Sequence, residues 1–154
     1  MSESTDDTLK DARQAAIGLL ARREHSKKEL QRKLRVRGVD SDIASQVLGE
    51  LEGDDLLSET RYTSSYIESR HARGFGPLRI QKELGERGIG EDQISQSMAE
   101  LAIDWQLQVK SVYRKKYGSD GLSDFNERAR RARFLQYRGF TGDQIRHVFG
   151  DEFD

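Results

Sequence analysis

The chain has 154 residues, 34% hydrophobic and 34% charged, with no cysteine and a formal net charge of -1, and its mean hydropathy is -0.83. The lack of cysteine excludes a disulfide framework and a thiolate metal site. No apolar run approaches the roughly 20 residues that cross a bilayer, and the opening Met1-Ser2-Glu3-Ser4-Thr5-Asp6-Asp7 is acidic and polar, unlike a secretory signal. The sequence therefore predicts a soluble protein of the cytoplasm that makes no membrane contact.

Apolar spacings of three and four dominate, and no long alternating stretch reads as a strand. The first helix carries Leu9, Ala12, Ala16, Leu19 and Leu20 on one face and breaks near His25. Ser26 followed by Glu29 forms a capping box, in which each side chain satisfies a backbone N–H of the other residue. The second helix presents Leu30 and Leu34 and stops at Gly38, a left-handed position past its end. Asp40 or Ser41 caps a third helix bearing Ile43, Val47 and Leu51.

The plan then repeats. Ser58 caps a helix with Tyr62 and Tyr66, and Gly74-Phe75-Gly76 interrupts it. Pro77, the single proline, sits in the next helix's first turn, where its missing N–H costs nothing. Ile80 and Leu84 share one face before Gly88, and Ile94, Met98 and Leu101 mark the helix after it. Trp105, Val109, Val112 and Tyr113 open a third group. Phe125, Ala129, Ala132 and Leu135 define its middle helix, and Ile145 with Phe149 its last. Nine helices in three groups of three result, an all-α fold. The reading divides the chain into a flexible N-terminus (1–8), modules at 9–53, 57–102 and 103–150, and a C-terminal tail (151–154).

The repeat unit is explicit. Leu34, Leu84 and Leu135 are each followed four positions later by Gly38, Gly88 or Gly139, within Arg37-Gly38-Val39, Arg87-Gly88-Ile89 and Arg138-Gly139-Phe140. A period of about fifty residues means stacked supersecondary units that offer an extended surface to a large partner. Gly38, Gly76, Pro77, Gly88 and Gly139 are read as turn-forming positions and carry no chemistry.

Charge is unevenly spread. Residues 13–37 hold nine Lys or Arg against two acids, whereas residues 40–59 hold seven acids and no Lys or Arg. Local basic patches attract polyanions even when the total is near neutral, and the competing reading is solvated helix faces. The basic faces of the second helices are the recognition candidates: Lys28, Arg32 and Arg35, then Arg79 and Lys82, then Arg131 and Arg138. Most aromatics, Trp105 among them, have core spacing, while Phe75 and Phe140 lie beside turns and are more open to stacking on bases. A helix-turn-helix reading stays open, although Asn and Gln are not concentrated on one helix.

Enzyme chemistry finds no support. His25, His71 and His147 lie in different modules without ligand spacing, and Asp54-Asp55 with Glu50 and Glu52 read as caps and solvated charge. Gly74-Phe75-Gly76-Pro77 lacks both the preceding strand and the following Lys-Ser/Thr of a phosphate loop. No serine stands in an elbow motif. No catalytic residue, metal or cofactor is expected.

The segment Gly74-Phe75-Gly76-Pro77-Leu78-Arg79-Ile80-Gln81-Lys82-Glu83-Leu84, followed by Arg87-Gly88-Ile89, resembles the G-x-G-P-x-R-I-x-x-E-L segment of the RecX family, regulators of the bacterial recombinase RecA. Ala21 to Leu30 resembles that family's opening module, and Asp104-Trp105 with Arg133 to Phe140 its third. The likeness spans about residues 9–150. It implies three tandem three-helix repeats in an elongated, curved arrangement and a non-enzymatic monomer that binds the RecA nucleoprotein filament. Inhibition of filament growth and activity in recombination and the SOS response would follow, with weaker, non-specific binding to single-stranded DNA. The alternative is a small helical DNA-binding protein that acts by competing for DNA. One departure from the family pattern is Leu57-Ser58-Glu59-Thr60-Arg61-Tyr62, where the family commonly has Leu-Asp-Asp-x-Arg-Tyr, with Asp54-Asp55 lying upstream.

Overall fold

A computed structural model describes residues 5–150. Among these residues there are nine α-helices and no strand: α1 (Thr5–Arg22), α2 (Lys27–Val36), α3 (Ser41–Gly53), α4 (Glu59–Ala72), α5 (Pro77–Glu86), α6 (Glu91–Leu101), α7 (Trp105–Tyr117), α8 (Phe125–Arg138) and α9 (Gly142–Phe149). They form three tandem three-helix modules. The first helix starts at Thr5, inside the stretch 1–8 that the sequence reading set apart, and positions 1–4 and 151–154 lie outside the described residues.

The helix boundaries follow local chemistry. Ser26 Oγ accepts from Glu29 N–H and opens α2, Ser58 Oγ accepts from Arg61 N–H at the start of α4, and Pro77 is the first residue of α5. Asp40 precedes α3 without a side-chain capping bond. Asp104 and Asp124 cap α7 and α8. Thr141 and Gln144 form a reciprocal capping box at α9.

The repeated leucine–glycine pair ends three helices on a left-handed glycine. Leu34, Leu84 and Leu135 are fully buried, and Gly38, Gly88 and Gly139 have φ of 89°, 85° and 103°. After α2, Gly38 N–H donates to Arg35 O and Val39 N–H to Leu34 O. After α8, Gly139 N–H donates to Gln136 O and Phe140 N–H to Leu135 O. These paired bonds satisfy the last carbonyls of α2 and α8 and turn the next apolar residue back over each end, whereas after α5 Gly88 N–H donates to Gly85 O.

The residues group into two compact units whose limits differ from those of the modules. One contains the chain up to Ser65 together with Gly85–Ser97, and the other contains Tyr66–Leu84 and the chain from Met98 onward. The first unit is built on Ala12, Ala16, Leu30, Leu34, Val47, Leu48, Leu51 and Leu57, with Leu9, Leu19, Leu20, Val39 and Ile43 around them. Full burial of each leucine contributes about 1.5–3 kcal/mol. Arg13 ties α1 to the end of α3 through Asp54 at 2.7 Å and Glu50 at 3.5 Å.

The second unit centres on Val109, Leu135 and Phe140, flanked by Trp105, Val112, Tyr113, Phe134, Ile145 and Val148. Ile67, Ile80 and Leu84 are also fully buried in it. Within this unit the start of α5 meets the end of α8 backbone to backbone. Gly76 N–H donates to Arg138 O at 2.8 Å and Leu78 N–H to Gly139 O at 2.9 Å. A β-carbon on Gly76 would lie 2.5 Å from the carbonyl carbon of Gly139, so this approach requires glycine.

Candidate functional site

The cations of this chain divide into those with a carboxylate partner and those without. On α2, Lys27 reaches Glu52 at 3.1 Å and Glu59 at 3.9 Å, and Lys33 Nζ donates to His25 Nε2 at 2.9 Å. His25 is buried, and its Nδ1 lies 3.0 Å from Arg23 O. That geometry gives Nδ1 the proton and leaves Nε2 to accept from Lys33. Burial, with the charges of Arg23 and Lys33, holds the imidazole below its usual pKa, although the bond to Arg23 O opposes the shift.

Lys28, Arg32 and Arg35 form a separate stripe of α2, spaced four and three residues apart and exposed. None makes an ion pair with a described carboxylate. Lys28 Nζ donates to Glu86 O at 3.2 Å. Beside the stripe lies a recess of about 250 Å³ lined also by Gln31, Val39 and Ser41. Bringing an anion here displaces no existing salt bridge, and three cations within two helical turns provide a cooperative field.

The candidates from the other modules have different surroundings. Arg79 bonds Glu83 at 3.4 Å and Tyr137 O at 3.3 Å, and its guanidinium lies over the rings of Phe75 and Tyr137. Arg138 Nη1 donates to Arg73 O at 3.2 Å and stands over Phe75 and Phe134. Arg70 makes a two-pronged contact with Glu83, both bonds 2.9 Å, and Tyr66 Oη donates to the same carboxylate at 2.9 Å. Burial raises the Glu83 pKa, but the bonds from Arg70 and Tyr66 outweigh it and hold the carboxyl below its usual range. Lys82 is exposed and without a carboxylate partner among the described residues.

Arg131 departs from the expectation. It is 4% exposed, and its guanidinium bonds Glu127 at 2.9 Å, Tyr113 Oη at 2.7 Å, Asp120 O at 3.0 Å and Gly121 O at 3.4 Å. All of its donor nitrogens face internal acceptors, so it knits α7, α8 and the loop between them. The aromatic expectations also change. Phe140 is buried at 1% exposure, whereas Tyr137 is 75% exposed. Phe75 has Arg70, Arg79 and Arg138 at 3.9, 4.4 and 5.0 Å from its ring centre, so its face is occupied. Trp105 packs edge-on to His71 with centroids 5.6 Å apart, as a core residue.

The acidic pair upstream of Arg61 also has internal partners. Asp54 pairs with Arg13. Arg61 Nη1 meets Asp55 Oδ1 at 3.0 Å, and Arg61 Nε meets Glu24 at 2.9 Å. Among the described residues no group of three His, Asp or Glu is placed to hold a metal ion, and no helix is long and apolar enough to cross a membrane.

Three family profiles match consecutive segments: the first three-helix domain of RecX over residues 12–51, the second over 58–98 and the third over 108–149. The chain belongs to the RecX family. A Regulatory protein RecX from a strain of Pseudomonas fluorescens is 44% identical over 139 residues, covering 90% of this chain and 90% of its own. One from Ectopseudomonas mendocina is 44% identical over 133 residues, covering 86% and 89%. The crystal structure of RecX from Lactobacillus salivarius shares the fold with a TM-score of 0.80 over 94% of this chain and 96% of that one, at 22% identity. Within this RecX fold, Lys28, Arg32 and Arg35 of α2 and Lys82 of α5 are the expected candidates that are exposed and have no described carboxylate partner.

Proposed function

We propose that this RecX-family chain regulates the recombinase RecA as a monomer, binding the RecA filament on single-stranded DNA and limiting its growth and activity. The observation that carries the reading is the uncompensated α2 stripe in a chain of this family. Most of the strong arginine contacts elsewhere are internal, so the stripe's exposed cations are available to an acidic face of a partner or to its DNA. Lys82 adds a fourth exposed cation. Contacts of modest strength gain when several are made at once to one assembly, so affinity for the assembled filament should exceed that for either component.

The test is a titration of fluorescently labelled protein with preformed filament, with RecA alone and with free single strand, at two salt concentrations. Filament binding should be the tightest, and the Arg32→Gln/Arg35→Gln variant should weaken it about a hundredfold or more, two charge-assisted contacts being worth roughly 1.5–3 kcal/mol each. ATP hydrolysis by the filament should be inhibited in proportion. Equal affinity for filament and free strand would instead favour a DNA-binding protein that acts by competition.

A further inference from the structure

A second basic site lies within the Tyr66–Leu84 and Met98-onward unit. A recess of about 360 Å³ opens between the end of α4, the outer face of α7 and the end of α8. Arg73, Lys115, Lys116 and Arg138 line it, with Gln108 and Ser111 as further polar groups and no carboxylate. None of the four cations is ion-paired to a described acid, in a chain where 27 acids accompany 26 Lys and Arg. Two are placed by their surroundings. Arg138 is held by Arg73 O and by the rings of Phe75 and Phe134, and Lys116 Nζ lies 5.2 Å from the centre of the Phe134 ring.

All four cations stand at or just past the C-terminal end of a helix, where a positive charge offsets the backbone dipole. Three helix ends carry roughly half a negative charge each, against four full positive charges. A surplus of about two and a half positive charges therefore remains in one recess. Helix-end compensation explains a cation at each end and leaves this excess unexplained.

We propose that this recess holds the phosphodiester backbone of a single nucleic-acid strand, the surplus matching two to three successive phosphates. Lysine ammonium groups and an arginine fixed by ring stacking suit phosphate oxygens, and Ser111 supplies a neutral hydrogen-bonding group of the kind that accompanies them. A flexible strand can enter a recess; a duplex presents a rigid convex surface that cannot. The proposal rests on the filament reading only for the source of the strand, because binding is expected in the absence of RecA.

The experiment measures fluorescence anisotropy of a labelled 20-nucleotide deoxythymidine strand with the full chain across a salt series. Each phosphate contact to a single strand contributes about 0.7 to the slope of log affinity against log salt. Lys115→Gln/Lys116→Gln should flatten that slope by about 1.4 and weaken binding about 25-fold at roughly 0.1 M salt. Arg73→Gln should flatten it by about 0.7. All of these residues but Arg138 are exposed, and circular dichroism confirms that each variant folds. An unchanged slope in the lysine variant overturns the proposal. So does tighter binding of a duplex of equal length, or a polyglutamate peptide that competes equally and loses its own binding in the lysine variant. Failure of the α2 variant to lose filament affinity would sink the filament reading alone, since this assay contains no RecA.

Discussion

Replacing Gly139 by alanine tests the contact between the start of α5 and the end of α8. Gly139 has φ of 103°, a region that costs a residue with a β-carbon about 1–2 kcal/mol. The added methyl would also stand 2.4 Å from Arg79 Cβ and 2.7 Å from Arg79 N. Both atoms are rooted in the α5 backbone, so the helix itself must retreat. Retreat stretches the Gly76–Arg138 bond of 2.8 Å and the Leu78–Gly139 bond of 2.9 Å. Leaving a buried peptide group unsatisfied costs about 1–3 kcal/mol, so partial relaxation gives a total loss of about 3–6 kcal/mol. Gly38→Ala is the matched comparison: its φ is 89°, but a β-carbon there meets nothing within 4 Å, so only about 1–2 kcal/mol is expected. Urea unfolding, followed by circular dichroism and by the fluorescence of Trp105, measures both. Equal losses in the two variants would refute the claim that backbone proximity, beyond the left-handed conformation, demands glycine at 139.

Two further outcomes follow from buried polar groups. Arg131→Met should destabilise the protein by about 2–3 kcal/mol, because Glu127 and two loop carbonyls lose a charged donor, and Arg131→Lys should recover little, since an ammonium cannot span the same acceptors; recovery of wild-type stability by lysine would exclude the forked arrangement. For His25, the folded pKa is lowered, chiefly by burial, so the unfolded chain takes up the proton first. Stability present at neutral pH should therefore fall as pH drops below the unfolded value of about 6.5 and level off beneath the folded value. His25→Gln should flatten this part of the stability–pH curve, and an equal slope in the variant would show that other groups cause it.

Much of the fold was legible because its signals are local. The leucine–glycine pairs, Ser26, Ser58 and Pro77 each act within a turn or two of their own position, although the box expected at Ser26 forms only its serine half, because the Glu29 carboxylate pairs with Arg23 instead. The Thr141–Gln144 box was equally local and was passed over, although the Thr-x-x-Gln pattern stands in the sequence. Arg131 was misplaced for a different reason. It lies four residues before the buried Leu135, on the same stripe of α8, and that spacing pointed inward. The cluster around Phe75 could not be read this way. Arg70, Arg79 and Arg138 come from three helices, and only tertiary packing brings them to one ring. The same holds for the recess of Arg73, Lys115, Lys116 and Arg138, whose basic residues were visible as separate runs and whose convergence was not. The division into two compact units also escaped a repeat-based reading, because a repeat reports equal segments and is silent about which neighbours each segment packs against.

The backbone bonds from the start of α5 to the end of α8 join Gly76 to Arg138 and Leu78 to Gly139, positions more than sixty residues apart in the chain. On a ribosome, the middle domain emerges well before the segment that supplies its last two carbonyl partners, so its forward edge waits in water until synthesis is nearly done. A truncated product ending ahead of Phe125 would carry that unfinished edge permanently. Shuffling this repeat between homologous proteins would accordingly demand that its second and third units travel together.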